Sequence, residues 1–260
     1  MKIHLALQLC LLTCISLVAD ISKGSDKPPN MPPQQEIHDC VKRFTALDAS
    51  FTIENAEIVS LSELNIPFLT RQIKDQTGIR VRLTPGKIKW GPPLTGIEDP
   101  YVRHFTVYLD ADAKRIFAVT SRLAERSPDI HAELSPEEAE RRLRATGAIY
   151  DSFPMADPKI SFLEALETMR QSSIANPPLA QEIDGFYIMY GSLDLSDGTF
   201  RQKPHPVWII NLRGLPPREF HNPYLEGGSS HKQPPAWRRN STRDIVDAVT
   251  GKWIVGYTDR

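Results

Sequence analysis

Two stretches in the C-terminal half of this 260-residue chain decide its fold class: Phe186-Tyr187-Ile188-Met189-Tyr190, within 186–195, and Val207-Trp208-Ile209-Ile210-Asn211-Leu212. Both are dense in aromatic and β-branched residues, which fit the pleated, half-buried surface of a β-strand. A third stretch of the same character, Trp253-Ile254-Val255-Gly256-Tyr257, follows residues 245–247 after the turn residues 248–251. The patterns predict three strands in this half, together with a closing hairpin over 245–257.

Amphipathic helices are predicted ahead of the strands in each half of the chain. Residues 34–47 carry apolar side chains at the spacing of one helical face, and a second such pattern follows residues 157–158. Further helices are predicted over 65–77 and 135–146 from their start and stop residues. The apolar positions of the two main helices are Ile37, Cys40, Val41, Phe44 and Leu47 in the first, and Ile160, Leu163, Leu166, Met169 and Ile174 in the second.

Strands are also predicted in the N-terminal half, where apolar and polar residues alternate. Residues 50–61 are predicted to be extended, and residues 79–83 form a period-two strand that we expect to pair with residues 88–90. Residues 105–109 and 116–119 predict a second hairpin, which turns at residues 110–113.

The order of these elements repeats along the chain. In each half, the order is a helix, a strand pair, a loop and a second strand pair, and the loops share a Gly/Pro start and a Pro-Tyr step at 100–101 and 223–224. Elements that recur in the same order at a fixed spacing along the chain are the signature of an internal repeat. We therefore expect an α+β fold of two similar units, 34–125 and 158–260, each with a helix packed on an antiparallel sheet. A helical connector, 126–157, would join them.

The residues that close the C-terminal unit carry a family resemblance. The strand Val207–Leu212 and the hairpin Val246-Asp247-Ala248-Val249-Thr250-Gly251-Lys252 resemble the end of a PepSY-type domain, over about 158–257. The resemblance implies an extracytoplasmic bacterial α+β module linked to peptidase inhibition or to cell-envelope interaction. It implies no catalytic residues.

The N-terminus predicts export. Residues 1–19 combine Lys2, an apolar stretch and Ala19 at the expected cleavage position, which is typical of a secretory signal peptide. The Pro-rich residues 20–33 are expected to form a linker. We therefore expect a secreted or periplasmic protein with no membrane span after cleavage. Cleavage leaves Cys40 as the single cysteine, so no intrachain disulfide is expected.

Charge and motifs exclude several functions. The chain has 31 Lys and Arg against 32 Asp and Glu, so there is no basic field to attract nucleic acid. No catalytic, metal-binding or nucleotide-binding motif occurs, and we expect no enzyme activity, no cofactor and no metal. A hydrolase with a diffuse site around His205, His221 or His231 is the weakest alternative, because no spacing supports it.

The connection from Leu215 to Arg239 is the predicted binding segment, because loops of this length in compact domains are usually functional or disordered. The leading hypothesis is an exported, non-enzymatic module that binds a peptide, a protein or an envelope component with this loop or with an open sheet face. The alternative is a carrier of an apolar ligand such as lipid. The candidate binding residues are those with aromatic, imidazole or guanidinium groups: His221, Tyr224, His231, Trp237, Arg238 and Arg239.

Overall fold

The computed structural model describes residues 30–47, 51–64, 76–88, 101–124, 141, 145, 147–150, 152–172, 177, 180–215 and 241–258. The described residues from Met31 onward belong to one compact unit. The predicted signal peptide and most of the predicted linker lie outside these ranges, as do most residues of the helices predicted over 65–77 and 135–146.

Two α-helices lie where the amphipathic patterns predict them. Helix α1 spans Gln34–Thr45 and ends at Ala46, whose left-handed backbone lets its N–H donate to the carbonyl of Lys42. Helix α2 spans Phe162–Ser172. It begins with a capping box, because Glu164 accepts hydrogen bonds from the backbone N–H and the hydroxyl of Ser161 at 2.7 and 2.8 Å.

The strands form one antiparallel sheet in the order β1-β2-β3-β4-β6-β7-β8-β9, with β5 paired to β6 beside β4. A 3₁₀ turn at Leu61–Glu63 follows β1. The nine strands within the described residues are β1 Ile53–Ser60, β2 Thr77–Leu83, β3 Arg103–Asp110, β4 Ile116–Leu123, β5 Ala148–Tyr150, β6 Glu182–Leu193, β7 Phe200–Arg213, β8 Ser241–Asp247 and β9 Trp253–Thr258.

The predicted α+β class is confirmed, but the strands of both halves share a single sheet. Strand β4 pairs with β6 over the five residue pairs from Ala118↔Phe186 to Arg122↔Glu182. This pairing provides hydrogen-bond partners for the backbone N–H and C=O groups of two strands that would otherwise lie at sheet edges. Residues 148–150, inside the segment predicted as a helical connector, form β5.

Most of the predicted strands are confirmed, and one predicted pairing is wrong. The hairpins over 105–119 and 245–257 form as expected, and residues 186–195 and 207–212 fall almost entirely within β6 and β7. Residues 79–83, however, do not pair with the return strand predicted over 88–90, of which only Ile88 is described. Strand β2 has β1 on one side and β3 on the other, so neither of its edges is available.

Both helices pack on one face of the sheet. Phe44 of α1 and Phe162 of α2 are buried in the same cluster as the inward-facing residues of β2, β3, β6 and β7. Trp208 anchors this cluster, because its indole N–H donates to the carbonyl of Ile160 at 3.0 Å and its ring lies 5.8 Å from that of Phe162. The opposite face has its own apolar cluster, which includes Phe117, Phe186, Ile188, Tyr190, Ile209 and Ile245.

The two closing hairpins each turn around an aspartate whose carboxylate accepts hydrogen bonds from backbone N–H groups of the turn. Asp110 accepts hydrogen bonds from the N–H groups of Lys114 and Arg115, at 2.7 and 2.9 Å. Asp247 likewise accepts from the N–H groups of Val249 and Thr250, at 2.8 and 2.9 Å. In each turn one residue has a left-handed backbone: Ala113 in the first, with φ of 54°, and Gly251 in the second, with φ of 70°.

Candidate functional site

A row of polar residues crosses the sheet on the face opposite the helices. From β2 to β9, leaving out β5, the strand register places the residues of this row directly opposite one another, one from each strand. Side chains of directly opposed residues on one face are neighbours. Arg243 shows the contact directly, because its Nε donates to Oδ1 of Asn211 at 2.8 Å. In strand order, the row consists of Arg82, Thr106, Thr120, Asp184, Asn211, Arg243 and Tyr257.

The first four residues of this row line a depression in the same face. Its volume is about 410 Å³, which is within the range of small-ligand sites. The complete lining is Leu64, Arg80, Arg82, His104, Thr106, Tyr108, Thr120, Arg122, Asp184, Phe186 and Arg213.

Buried carboxylates on β6 hold one side of the depression. Asp184 and Glu182 are each 2% exposed, and Arg213 on the neighbouring strand β7 forms an ion pair with each. The Nη1 atom of Arg213 lies 3.4 Å from Oε2 of Glu182. Buried charges persist in proteins when they are paired in this way, so Asp184 and Arg213 form a fixed part of the wall, and Glu182, outside the lining, is a further ion-pair partner of Arg213.

The opposite side of the depression is fixed by Arg80 of β2. Its Nε lies 2.9 Å from Oε1 of Glu57 on β1, and its side chain is only 22% exposed. The hydrogen bond from Arg80 holds the pKa of the Glu57 carboxyl below its usual value. This contact therefore keeps Arg80 in place as a charged residue of the wall.

Two other arginines of the lining are much more accessible. The side chain of Arg82 is 53% exposed and that of Arg122 is 55% exposed. Their closest carboxylate distances are 3.5 Å, from Arg82 to Glu57, and 3.6 Å, from Arg122 to Glu182. These distances exceed those of a strong charge-assisted hydrogen bond.

His104 lies between these two arginines. It is exposed, and it stands directly opposite Arg122 in the β3–β4 register. One strand further, Arg82 is opposite Thr106, two residues along β3 from His104. Guanidinium groups present planar forks of donors that match carboxylates and phosphates. The accessible side chains at this point are therefore suited to an anionic group.

The candidate binding residues predicted from the loop, His221, Tyr224, His231, Trp237, Arg238 and Arg239, lie outside the described residues. Of the histidines in the hydrolase alternative, His205 is described. Its ring contacts the Gln202 amide and the Lys203 carbonyl, and it lies 3.8 Å from the carboxylate of Asp247.

Within the described residues, no group of three or more His, Cys, Asp or Glu side chains is placed to hold a metal ion. Cys40 is a buried free thiol of α1, and burial raises its pKa to about 12. Asp194 and Asp197, the acidic residues of the β6–β7 connection, form hydrogen-bonded turns with Ser196 and Thr199, as a hairpin requires.

The sequence patterns do not predict the depression. Residues 79–83 predict an alternating strand, in which Arg80 and Arg82 occupy polar positions. Because alternate residues of a strand share a face, two arginines at that spacing already indicate a basic strip. The alternation does not show which strand lies beside β2. The sequence therefore does not show that His104 of β3 and Arg122 of β4 extend this strip.

The chain matches no family model, no curated protein and no solved structure. In the described part of the chain, no helix is both long enough and apolar enough to cross a membrane.

Proposed function

We propose that this protein is an exported, non-enzymatic module that binds a peptide or protein segment in the depression on the face opposite the helices. The observation that carries the proposal is the pair of accessible guanidinium groups, Arg82 and Arg122, in a concave site on a rigid sheet. Strands hold side chains more precisely than loops do, which lowers the entropy cost of binding.

The lining favours a peptide over the alternative, a lipid or other apolar cargo. Only Leu64 and Phe186 of the eleven lining residues are apolar, whereas four are arginines. Sites for apolar ligands are lined predominantly by hydrophobic side chains. A peptide offers carbonyls, amides and carboxylates that can replace the water lost from the threonines and arginines of the lining.

We further propose that the two halves arose by duplication and that the C-terminal half is a PepSY-type unit. The order α1-β1-β2-β3-β4 is followed, after β5, by α2-β6-β7-β8-β9. The turns around Asp110 and Asp247 support the same alignment, because the N–H of each aspartate donates to the carbonyl five residues later.

Export rests on the sequence of residues 1–19, and detection of the protein in the cytoplasm with residues 1–19 intact would contradict it.

The binding proposal is tested by filling the depression. Thr106 is a half-buried residue of the lining, so Thr106→Trp places a bulky ring where the ligand would lie. A random peptide library displayed on phage would be panned against the wild-type protein. Peptides enriched by the wild-type protein are expected to bind the Thr106→Trp variant at least tenfold more weakly.

Lys42→Trp is the matched control, because Lys42 is exposed on α1, a helix of the opposite face. Peptides selected by the wild-type protein should bind this variant unchanged. Panning that enriches no peptide, or peptides that bind the Thr106→Trp variant as tightly as the wild type, would refute a peptide site in the depression. Circular dichroism of both variants would establish that each is folded.

A further inference from the structure

We infer that the depression recognises the C-terminal end of a peptide, with its free carboxylate held by Arg82 and Arg122 and a neighbouring apolar side chain placed against Phe186 and Leu64. This inference rests on the proposed function and specifies the chemical class of its ligand. It follows from the position of the accessible arginines, from the local charge, and from the uneven distribution of apolar groups.

The accessible basic groups come from three consecutive strands. Arg82 is on β2, His104 on β3 and Arg122 on β4, and all three line the depression. Adjacent strands are about 4.8 Å apart, and Arg122 lies two residues along β4 from Thr120, which is level with Arg82, so the β-carbons of Arg82 and Arg122 stand roughly 12 Å apart across the sheet. Arginine side chains are long enough for both guanidinium groups to approach one carboxylate placed over β3.

The local charge matches a monoanion. Four arginines of the lining, at positions 80, 82, 122 and 213, are accompanied by three carboxylates that pair with them, at positions 57, 182 and 184. Among the described residues, the arginines of the lining outnumber these carboxylates by one. A carboxylate balances this difference, whereas a phosphate monoester with nearly two negative charges would exceed it beside three fixed acids.

Apolar groups lie on one side of the basic strip. Phe186 is two residues along β6 from Asp184 of the polar row, and Leu64 packs in the same apolar cluster as Phe186. Tyr108 stands two residues along β3 from Thr106 and adds a half-buried aromatic ring on that side. A ligand that meets both regions must carry its carboxylate next to an apolar group, as a peptide with an apolar C-terminal residue does.

The inference is tested with two pools of N-acetylated random hexapeptides that differ only at the C-terminus, one with free carboxylates and one with amides. Each pool would be equilibrated with the full chain, and the captured peptides identified by mass spectrometry. We expect the wild-type protein to retain peptides of the free-acid pool at least tenfold more than their amides, with apolar residues enriched at the last position.

Arg82→Gln and Arg122→Gln should each lower the retention of free-acid peptides about tenfold, since each removes one charge-assisted contact. Arg201→Gln is the control. Arg201 is 65% exposed and pairs with Asp194 in the β6–β7 hairpin, outside the lining, so its loss changes charge equally without touching the site.

The outcomes separate this inference from the proposed function. Equal retention of both pools, each abolished by Thr106→Trp, would overturn the carboxylate inference and leave the peptide site standing. Retention of neither pool would overturn both. Displacement of free-acid peptides by inorganic phosphate at lower concentration than by acetate would overturn the preference for a monoanion. Captured fatty acid in place of peptide would assign the depression to the alternative function.

Discussion

The ring of Phe162 on α2 lies directly over Gly185 on β6, so that a β-carbon built on Gly185 would fall 2.4 Å from Cε2 of Phe162. Gly185 is paired with Val119 of β4, at the junction between the strands of the two halves. The absence of a side chain at this position therefore allows α2 to approach the centre of the sheet.

Gly185→Ala is expected to lower the free energy of unfolding by about 1–3 kcal/mol, because the added methyl group must displace a fully buried aromatic ring. Urea denaturation with a common m-value measures the change. In the double variant with Phe162→Leu, the loss should be smaller than the sum of the two single losses. A Gly185→Ala variant as stable as the wild type would show that the helix can shift freely.

Ala46→Gly is expected to stabilise the protein by about 0.5–1 kcal/mol. Ala46 is exposed and has φ of 56°, a left-handed conformation that costs alanine energy and glycine almost none. Ala113→Gly is the informative comparison. Ala113 has φ of 54° but is buried, so the loss of a packed methyl group, worth about 0.8 kcal/mol, offsets the gain. Thermal unfolding of both variants should rank Ala46→Gly above Ala113→Gly, and the reverse order would contradict this account.

Asp247→Asn is expected to destabilise the closing hairpin by about 1 kcal/mol at pH 7. Burial acts to raise the pKa of Asp247, but the N–H groups of Thr250 and Val249 outweigh it and hold the pKa below the usual 3.8. The charged form thus stabilises the fold above pH 4, and this contribution disappears as the pH falls through the lowered pKa. The difference between wild type and variant in urea denaturation should therefore shrink toward zero below pH 4. A difference that does not depend on pH would contradict the assignment.

Cys40 is expected to react with iodoacetamide at least 100-fold more slowly in the native protein than in urea at pH 8. Burial raises the pKa of its thiol to about 12, and only the thiolate attacks the reagent. Peptide mass spectrometry would measure the rate at this cysteine. Lys42→Cys, in a Cys40→Ala background, presents a thiol from the exposed side of the same helix and should react as an unhindered cysteine does. Rapid native labelling of Cys40 would show that α1 detaches easily from the sheet.

The sequence alone was sufficient to predict the elements whose signals lie within one short stretch of the chain. The apolar faces of α1 and α2 repeat every three to four residues, and the residues of β6, β7 and β9 are strongly strand-forming. The hairpins around Asp110 and Asp247 also follow from short-range signals, since their turn residues and flanking strands are contiguous in the chain.

The pairing of strands that are distant in sequence was decided by the tertiary structure. Local alternation predicted a partner for β2 in residues 88–90, yet β2 lies between β1 and β3. The junction of β4 with β6 likewise joins residues 60 to 68 positions apart. Alternation defines which side chains share a face of a strand, but carries no information on which strand lies beside it.

The same reason explains why the candidate site was visible only in the folded chain. The sequence determined that Arg80 and Arg82 point to one face, and that Asp184 and Phe186 do so on another strand. Only the register of four strands placed these residues around one depression with His104 and Arg122. A binding site of this kind depends on contacts between strands, whose side-chain periodicity is local but whose neighbours are chosen by the packing of the whole sheet.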